Sequence, residues 1–223
     1  MLTESIQTQL LPLTYSAIPV MLGLLLHEVA HGYAAYLRGD STAKFAGRLT
    51  LNPLPHIDPM GLLMFVVTAL TGPFVFGWAK PVPVNMRYFK NPKRDMILVA
   101  AAGPLTNLIL AFLFAGLLKL LITLSPQSAY ASTSFEFFFL MCKQGVLVNL
   151  ALAWFNLIPI PPLDGSRIVA GLLPNDLAYK YARLERYGFL LLILILMTDI
   201  SGKILYPPIR ASLSAILTVT GLN

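Results

Sequence analysis

Long apolar stretches separated by short polar segments dominate the pattern of the chain. Four of them are long and apolar enough to cross about 30 Å of hydrocarbon as helices, and they cover roughly residues 10–37, 96–124, 136–159 and 186–206. A fifth apolar run, 60–77, is shorter and is interrupted by Gly72-Pro73. The piece after Pro207-Pro208 can form one more helix, either short or interfacial. The pattern predicts an all-α polytopic membrane protein with about four to six transmembrane helices.

Two short segments between the first two long spans have a different pattern. Residues 43–51 alternate between two sets of side chains, as a β-strand does. Val82-Pro83-Val84 suits a partner strand or an edge strand, because proline cannot donate a ladder hydrogen bond. The sequence therefore predicts a small β region between these two spans.

Composition supports the membrane class. Hydrophobic residues make up 57% of the chain and charged residues 12%, about half the charged fraction of a soluble domain, and the mean hydropathy is +0.72. The single cysteine, Cys142, excludes an intramolecular disulfide and a cysteine-rich zinc site. The net charge of +6 indicates basic cytoplasmic loops and no nucleic-acid partner, because Lys and Arg lie between the apolar runs.

The distribution of basic residues predicts the topology. Lys and Arg occur in segments 38–48, 80–94 and 167–186, whereas loop 125–135 has no charged residue. All basic segments can be cytoplasmic only if segment 60–77 enters and leaves the membrane on the same side. The N-terminus and loop 125–135 are then predicted to lie on the outer side.

The candidate chemistry begins with His27-Glu28-Val29-Ala30-His31, which lies inside the first apolar segment. Residues four apart share one face of a helix, so both imidazoles can bind one metal ion. Glu28 between them can hold and deprotonate a metal-bound water. The alternative is a chance match at a helix end. Two imidazoles and a carboxylate are costly in lipid, which favours a zinc hydrolase.

A catalytic zinc usually keeps three protein ligands and one open position. The candidates for the third ligand are His56, Asp58 and Asp164. Asp164 follows the proline-rich run that begins at Asn156, where the third predicted span must unwind. The alternative for Asp164 is an ordinary Asp-Gly turn.

Depth in the membrane favours Asp164 as the third zinc ligand. The two histidines lie toward the C-terminal end of the first span, and Asp164 lies just past the C-terminal end of span 136–159. These residues share one depth only if both spans run in the same direction, which requires two crossings between them. Segment 60–77 is therefore predicted to be a re-entrant or half-buried hairpin.

Four further polar residues each have two interpretations. His56, in a turn rich in proline and glycine, either hydrogen-bonds the backbone there or acts near the metal or in substrate gating. Asn107, near the start of the second span, either joins two helices or donates to the substrate carbonyl or its oxyanion. Asn149 and Asn156 have the same two interpretations as Asn107, and they lie about two helical turns apart, so they can share one helix face.

Three motifs together resemble the site-2 protease family of intramembrane zinc metalloproteases. They are the HExxH at 27–31, Gly103-Pro104-x-x-Asn107, and Asn156-x-x-Pro-x-Pro-Pro-Leu-Asp164-Gly165. The resemblance spans roughly residues 20–170. The stretches Gly47-Arg-Leu-Thr-Leu-Asn-Pro, His56-Ile-Asp-Pro and Gly77-Trp-Ala-Lys-Pro-Val-Pro-Val look like the compact prokaryotic branch, and loop 125–135 is too short for the PDZ domain that many relatives insert. Residues 1–223 are thus predicted to form a single integral-membrane protease domain, with a core of about 10–170 and C-terminal helices of about 186–221.

The resemblance implies one Zn²⁺ per chain held by His27, His31 and Asp164, with Glu28 as general base. It implies that Asn107 holds or polarises the substrate backbone and that the β region is re-entrant. From their positions in the sequence, His56 and Asn156 are candidates for supporting or substrate contacts. The expected activity is regulated intramembrane proteolysis.

The expected partners are a transmembrane protein substrate and the lipid bilayer, and the number of subunits is left open. The expected location is a prokaryotic cytoplasmic membrane, with the site toward the cytoplasm. A membrane metal-ion transporter or sensor, and a catalytically silent helix-binding scaffold, are the alternatives.

Overall fold

A computed structural model describes residues 2–71 and 77–222 of the chain. These residues form nine α-helices, joined by short turns and three 3₁₀ segments. The helices are α1 (Leu2–Leu37), α2 (Thr42–Phe45), α3 (Pro59–Thr71), α4 (Pro92–Leu124), α5 (Thr133–Asn156), α6 (Asp164–Leu172), α7 (Asn175–Ala182), α8 (Glu185–Leu196) and α9 (Ile200–Thr220).

Three helices are long and apolar enough to cross a membrane, namely Leu13–Leu37 within α1, α4 and α5. They confirm the first three predicted spans and make the chain a multi-pass integral membrane protein. Only residues 125–132 connect α4 to α5, so no further domain is inserted there.

The fourth predicted span differs from the structure. Instead of one helix over 186–206, α8 and α9 meet at a bend of 81°. Near this bend the Thr198 hydroxyl donates to the Ile195 carbonyl at 3.0 Å, and the Ser201 hydroxyl donates to the Thr198 carbonyl at 3.1 Å. Such side-chain bonds compete with the helical ladder. The piece after Pro207-Pro208 is helical, as predicted, but it does not form a separate helix, because both prolines lie inside α9. The pair α8–α9 is at most one further span, which gives three or four candidate spans among the described residues.

The centre of the fold lies where α4 packs against α1 and α5. Ala111, Phe114 and Ala115 of α4 form a buried cluster with Val146 and Leu150 of α5. Small residues let the helix backbones approach closely, as is typical of helix packing in membranes. This close packing brings polar side chains of three helices into one buried region.

The predicted β region is wrong, since the described residues contain no strand. Part of segment 43–51 belongs to α2, which begins at Thr42. The buried Asp40 carboxylate accepts from the Thr42 N–H at 2.9 Å and so forms a local side-chain turn just before this helix. Gly47, at a φ of +66°, then turns the chain. Val82-Pro83-Val84 has no strand partner, because Pro83 lacks an N–H group and the Val82 N–H bonds to a side chain.

The two ends of segment 57–79 lie next to each other. Ile57 and Ala79 form an isolated antiparallel bridge, and the Lys80 N–H donates to the His56 carbonyl at 2.8 Å. Gly61 permits the contact, since an added Cβ would lie 2.1 Å from the Trp78 carbonyl oxygen. The two ends of the predicted hairpin 60–77 therefore meet, while its Gly72-Pro73 interruption lies outside the described residues.

Candidate metal centre and active-site cleft

Three buried donor atoms from distant parts of the chain converge on one point. The Nε2 atoms of His27 and His31 are 3.0 Å apart. Each lies 3.1 Å from Oδ2 of Asp164. The histidines share one face of α1, as their spacing predicts, and Asp164 is the first residue of α6. Each of the three residues is only 6% exposed.

Hydrogen bonds behind the imidazoles determine which nitrogen of each carries the proton. The Nδ1 of His31 lies 2.7 Å from the Val99 carbonyl, which can only accept, so this Nδ1 donates. The Nδ1 of His27 lies 2.6 Å from Oδ1 of Asn107. The Asn107 amide nitrogen donates to the Gly23 carbonyl at 3.1 Å and to Oδ1 of Asn149 at 2.9 Å, so its oxygen must accept from His27.

Asn149 completes this relay, because its amide nitrogen donates to the Gly145 carbonyl at 2.9 Å. Asn107 and Asn149 are both fully buried. The sequence marked each as an isolated polar residue and did not pair them. An amide in the middle of each of two apolar helices was the only signal available, since a buried amide requires a partner.

This arrangement fits a bound cation. With both Nδ1 atoms protonated, two Nε2 lone pairs and a carboxylate oxygen face one another at 3.0–3.1 Å. Three such acceptors repel one another unless a positive ion, or an added proton on one imidazole, lies among them. Two histidines and one aspartate are a zinc-type donor set, and tetrahedral zinc holds its donors about 3.3 Å apart. Among the described residues, this is the one group of three or more His, Cys, Asp or Glu that could share a metal.

Gly103 of α4 lies directly against the donor atoms. A Cβ built at this position would be 2.5 Å from Nε2 of His31 and 2.6 Å from Nε2 of His27. No other residue type leaves both imidazoles in place. The glycine of the Gly-Pro-x-x-Asn motif therefore makes room for the centre, and the asparagine of the same motif orients one of its histidines.

The proline-rich run after α5 positions Asp164. The helix ends at Asn156, and residues 157–163 are not helical, which confirms the predicted unwinding. Gly165 allows α6 to begin there, since an added Cβ would be 2.2 Å from the Leu157 carbonyl oxygen. The aspartate is thus held at the start of a short helix, with its carboxylate toward α1.

Glu28 shares a cleft of about 120 Å³ with the three donor residues. Its Oε2 accepts a hydrogen bond from the Val82 N–H at 2.7 Å. The remaining lining residues are Pro81, Val82, Val84, Asn156, Pro162 and Arg167. Sequence reasoning missed Arg167, although its position three residues after Asp164 on α6 places both on one helix face. The cleft therefore combines a candidate base, a candidate metal centre and one cation.

His56 and Asp58 are not among the three donor residues or the residues that line the cleft. The Nε2 of His56 donates to the Thr50 carbonyl at 3.2 Å, and Oδ1 of Asp58 accepts from the Gly61 N–H at 2.9 Å. Burial, together with the positive charge of Arg48, holds the pKa of His56 below its usual value. His56 makes the backbone contact that was one of its two interpretations, and an active role for it stays a prediction.

The chain is similar to a peptidase family and to proteins that are named as zinc metalloproteases. The model of peptidase family M50 matches residues 121–198, which include α5 and Asp164. "Putative zinc metalloprotease YwhC" of Bacillus subtilis is 42% identical over 91% of this chain and 89% of its own length. "Putative zinc metalloprotease Rip2" of Mycolicibacterium smegmatis is 32% identical over 84% of this chain and 70% of its own length. No solved structure matches the chain.

Proposed function

Because the chain belongs to peptidase family M50, we propose that this zinc metalloprotease cleaves peptide bonds in or near transmembrane segments of other membrane proteins. One observation carries the proposal. The glutamate of the HExxH motif and a buried His-His-Asp donor set line the same cleft, with the glutamate and both histidines on the apolar helix α1 and the aspartate at the start of α6.

We assign His27, His31 and Asp164 as the residues that hold the zinc. Zinc in such a site acts as a Lewis acid and lowers the pKa of its water to about 7. Two of the three ligands lie within a helix that can span the membrane, and all three are buried. Their burial supports hydrolysis at a depth where water is otherwise scarce.

Glu28 serves as the general base in this scheme. Its carboxylate takes a proton from the attacking water and then passes that proton to the leaving amine. The hydrogen bond from the Val82 N–H keeps the carboxylate oriented within the cleft. A transmembrane substrate hides its carbonyls in the helical ladder, so it must unwind locally before the cleft can receive it.

Asn107 acts on His27 in this proposal. Both hydrogens of its amide nitrogen are donated to Gly23 and Asn149, and its oxygen accepts from His27. These bonds leave no donor for a substrate oxyanion. Asn156 lines the cleft and donates to its own helix at the Leu152 carbonyl, so its side-chain oxygen is the group that can meet a substrate N–H.

Zinc content and peptide cleavage together test the function. Purified protein should hold about one zinc, and His27→Ala, His31→Ala and Asp164→Ala should each lose it, whereas the control Asp58→Ala should retain it. Wild type in detergent should cleave a synthetic peptide with one apolar span of about 20 residues. Full zinc retention in Asp164→Ala contradicts the ligand assignment. Transport of zinc across vesicles without any cleavage refutes the protease and establishes the transporter.

We further propose that segment 57–79 enters and leaves on the cytoplasmic side of a prokaryotic inner membrane, with the cleft toward the cytoplasm. The bridge between Ile57 and Ala79 supports this topology, because both ends of the segment lie together.

Single cysteines test the topology from the two membrane faces. In a Cys142→Ser background, Thr42→Cys and Asn91→Cys should both react with an impermeant thiol reagent from the cytoplasmic side. Ser128→Cys, between α4 and α5, should react only from the opposite side. Labelling of Thr42→Cys and Asn91→Cys from opposite faces would show that segment 57–79 crosses the membrane.

A further inference from the structure

Residues 80–85, here called the strap, are anchored to the fold at both ends. At one end, Nη2 of Arg48 donates to the Lys80 carbonyl at 2.5 Å, and the Lys80 N–H donates to the His56 carbonyl at 2.8 Å. At the other end, the Asn85 N–H donates to Oδ2 of Asp40 at 2.6 Å. The strap is therefore held from two directions while it passes over the cleft.

Both side-chain anchors are buried charged groups. Asp40 is fully buried and Arg48 is 5% exposed. Buried charges are costly unless they are hydrogen-bonded. The second carboxylate oxygen of Asp40 accepts from the N–H and the hydroxyl of Thr42, so this residue ties the turn after α1 to the strap. Because both charged side chains are buried and both accept from or donate to the strap, we assign them a role in positioning it.

The middle of the strap offers very few amide donors. Pro81 and Pro83 have no N–H, so Val82 and Val84 carry the only amides between the two anchors. The Val82 N–H donates to Oε2 of Glu28 at 2.7 Å, whereas the Val84 N–H has no acceptor among the described residues. Val82 is 8% exposed and packs on α1, where a Cβ added to Gly32 would lie 2.9 Å from its Cγ1.

We propose that the strap positions the general base, with the Val82 N–H holding one carboxylate oxygen of Glu28 and with Asp40 and Arg48 as positioning residues that hold the strap. Among the described residues, Glu28 makes no other hydrogen bond. Its Oε1 is therefore the oxygen left for the attacking water. The proposal rests on the function of Glu28 proposed above, and it adds three residues to the machinery that the HExxH motif does not contain.

Amide hydrogen exchange tests the strap without any substrate. Within 80–84 only Lys80, Val82 and Val84 have amide hydrogens, so a peptide from this segment reports three sites. Lys80 and Val82 should exchange slowly and Val84 fast. Glu28→Ala, Asp40→Asn and Arg48→Gln should each raise exchange at Val82 by about tenfold or more, as expected when a hydrogen bond to a charged group is lost. Asp58→Asn is the matched control, because its carboxylate also accepts a backbone N–H but lies outside the strap.

Cleavage kinetics test whether the hydrogen bond from the strap affects Glu28 as general base. Replacing the Val82 amide by an ester, through incorporation of the α-hydroxy acid, removes the single N–H. This change should lower kcat by about tenfold, while KM for the synthetic single-span peptide and zinc content stay unchanged. An ester at Met86, whose N–H has no acceptor among the described residues, should leave kcat at the wild-type value. Arg48→Lys should retain more activity than Arg48→Gln, since lysine keeps the positive charge and a longer reach toward the Lys80 carbonyl, whereas glutamine is neutral and shorter.

The outcomes separate this proposal from the proposed function. Normal kcat in the Val82 ester, with Glu28→Gln inactive, overturns the strap proposal and leaves the protease standing. Full activity in Glu28→Gln overturns the function of Glu28, and with it any role of the strap in catalysis. Equal exchange at Val82 and Val84 in wild type overturns the strap geometry itself.

Discussion

Replacing Glu28 by glutamine is expected to reduce cleavage of a transmembrane peptide by at least 10²-fold, within the range of about 10²–10⁴-fold that general-base assistance supplies. Glutamine has the shape of glutamate, and its side-chain oxygen can still accept from the Val82 N–H, which lies 2.7 Å from Oε2 in the wild type. It cannot take a proton from the attacking water. The measurement is the single-turnover cleavage rate in detergent, with zinc content determined on the same sample.

Zinc content separates a lost base from a damaged metal centre. Glu28→Gln should retain about one zinc and should still bind substrate, so the variant should co-purify with its target. Glu136→Gln is a matched control, because Glu136 is exposed in the first turn of α5 and lies outside the cleft. Cleavage by Glu28→Gln at the wild-type rate would show that Glu28 is not the general base. Loss of zinc from Glu28→Gln would indicate that Glu28 is a zinc ligand.

Adding one methyl group at Gly103 is expected to destroy the metal centre. In Gly103→Ala the new Cβ would lie 2.5 Å from Nε2 of His31 and 2.6 Å from Nε2 of His27, so at least one imidazole must move. Changes behind metal ligands typically lower affinity by about 10–100-fold, and this methyl group meets the ligand atoms themselves. We therefore expect zinc affinity to fall by at least about 100-fold and cleavage to be lost with it.

Gly116→Ala is the matched control in the same helix. A Cβ at Gly116 meets nothing within 4 Å, and alanine is the better helix former by about 1 kcal/mol. This variant should bind zinc and cleave like wild type. Chelator competition on both variants gives the affinities. Equal zinc affinity in Gly103→Ala and Gly116→Ala would show that the two histidines do not form the metal centre in the observed arrangement.

Local properties of the sequence predicted a large part of this protein. The first three spans follow from continuous apolar length, since the hydrocarbon core sets that length. His27 and His31 share a face because the helical period places residues four apart side by side. The unwinding after Asn156 follows from prolines that cannot continue a helix. Each inference needs only neighbours along the chain.

The errors occurred where a local signal was outweighed by a nearby hydrogen bond. The alternation in 43–51 is typical of a strand, but Asp40 accepts from the Thr42 N–H in a local turn and the chain continues into α2 instead. The apolar run 186–206 looked continuous, yet the chain bends by 81° between α8 and α9, where Thr198 and Ser201 bond to backbone carbonyls. Apolar periodicity does not register such side-chain bonds, which compete directly with the regular ladder.

The sequence by itself determined the membrane class, the HExxH pair and a short choice of third ligands. Only the tertiary structure brought Asp164 within 3.1 Å of both histidines, paired Asn107 with Asn149, and placed the Val82 N–H on Glu28. These partners are between 42 and 137 residues apart in the chain. Their contacts depend on how closely α4 packs against α1 and α5 and on where the strap is anchored. Periodicity and propensity report only neighbours within a few residues, so distances of this kind are decided by packing.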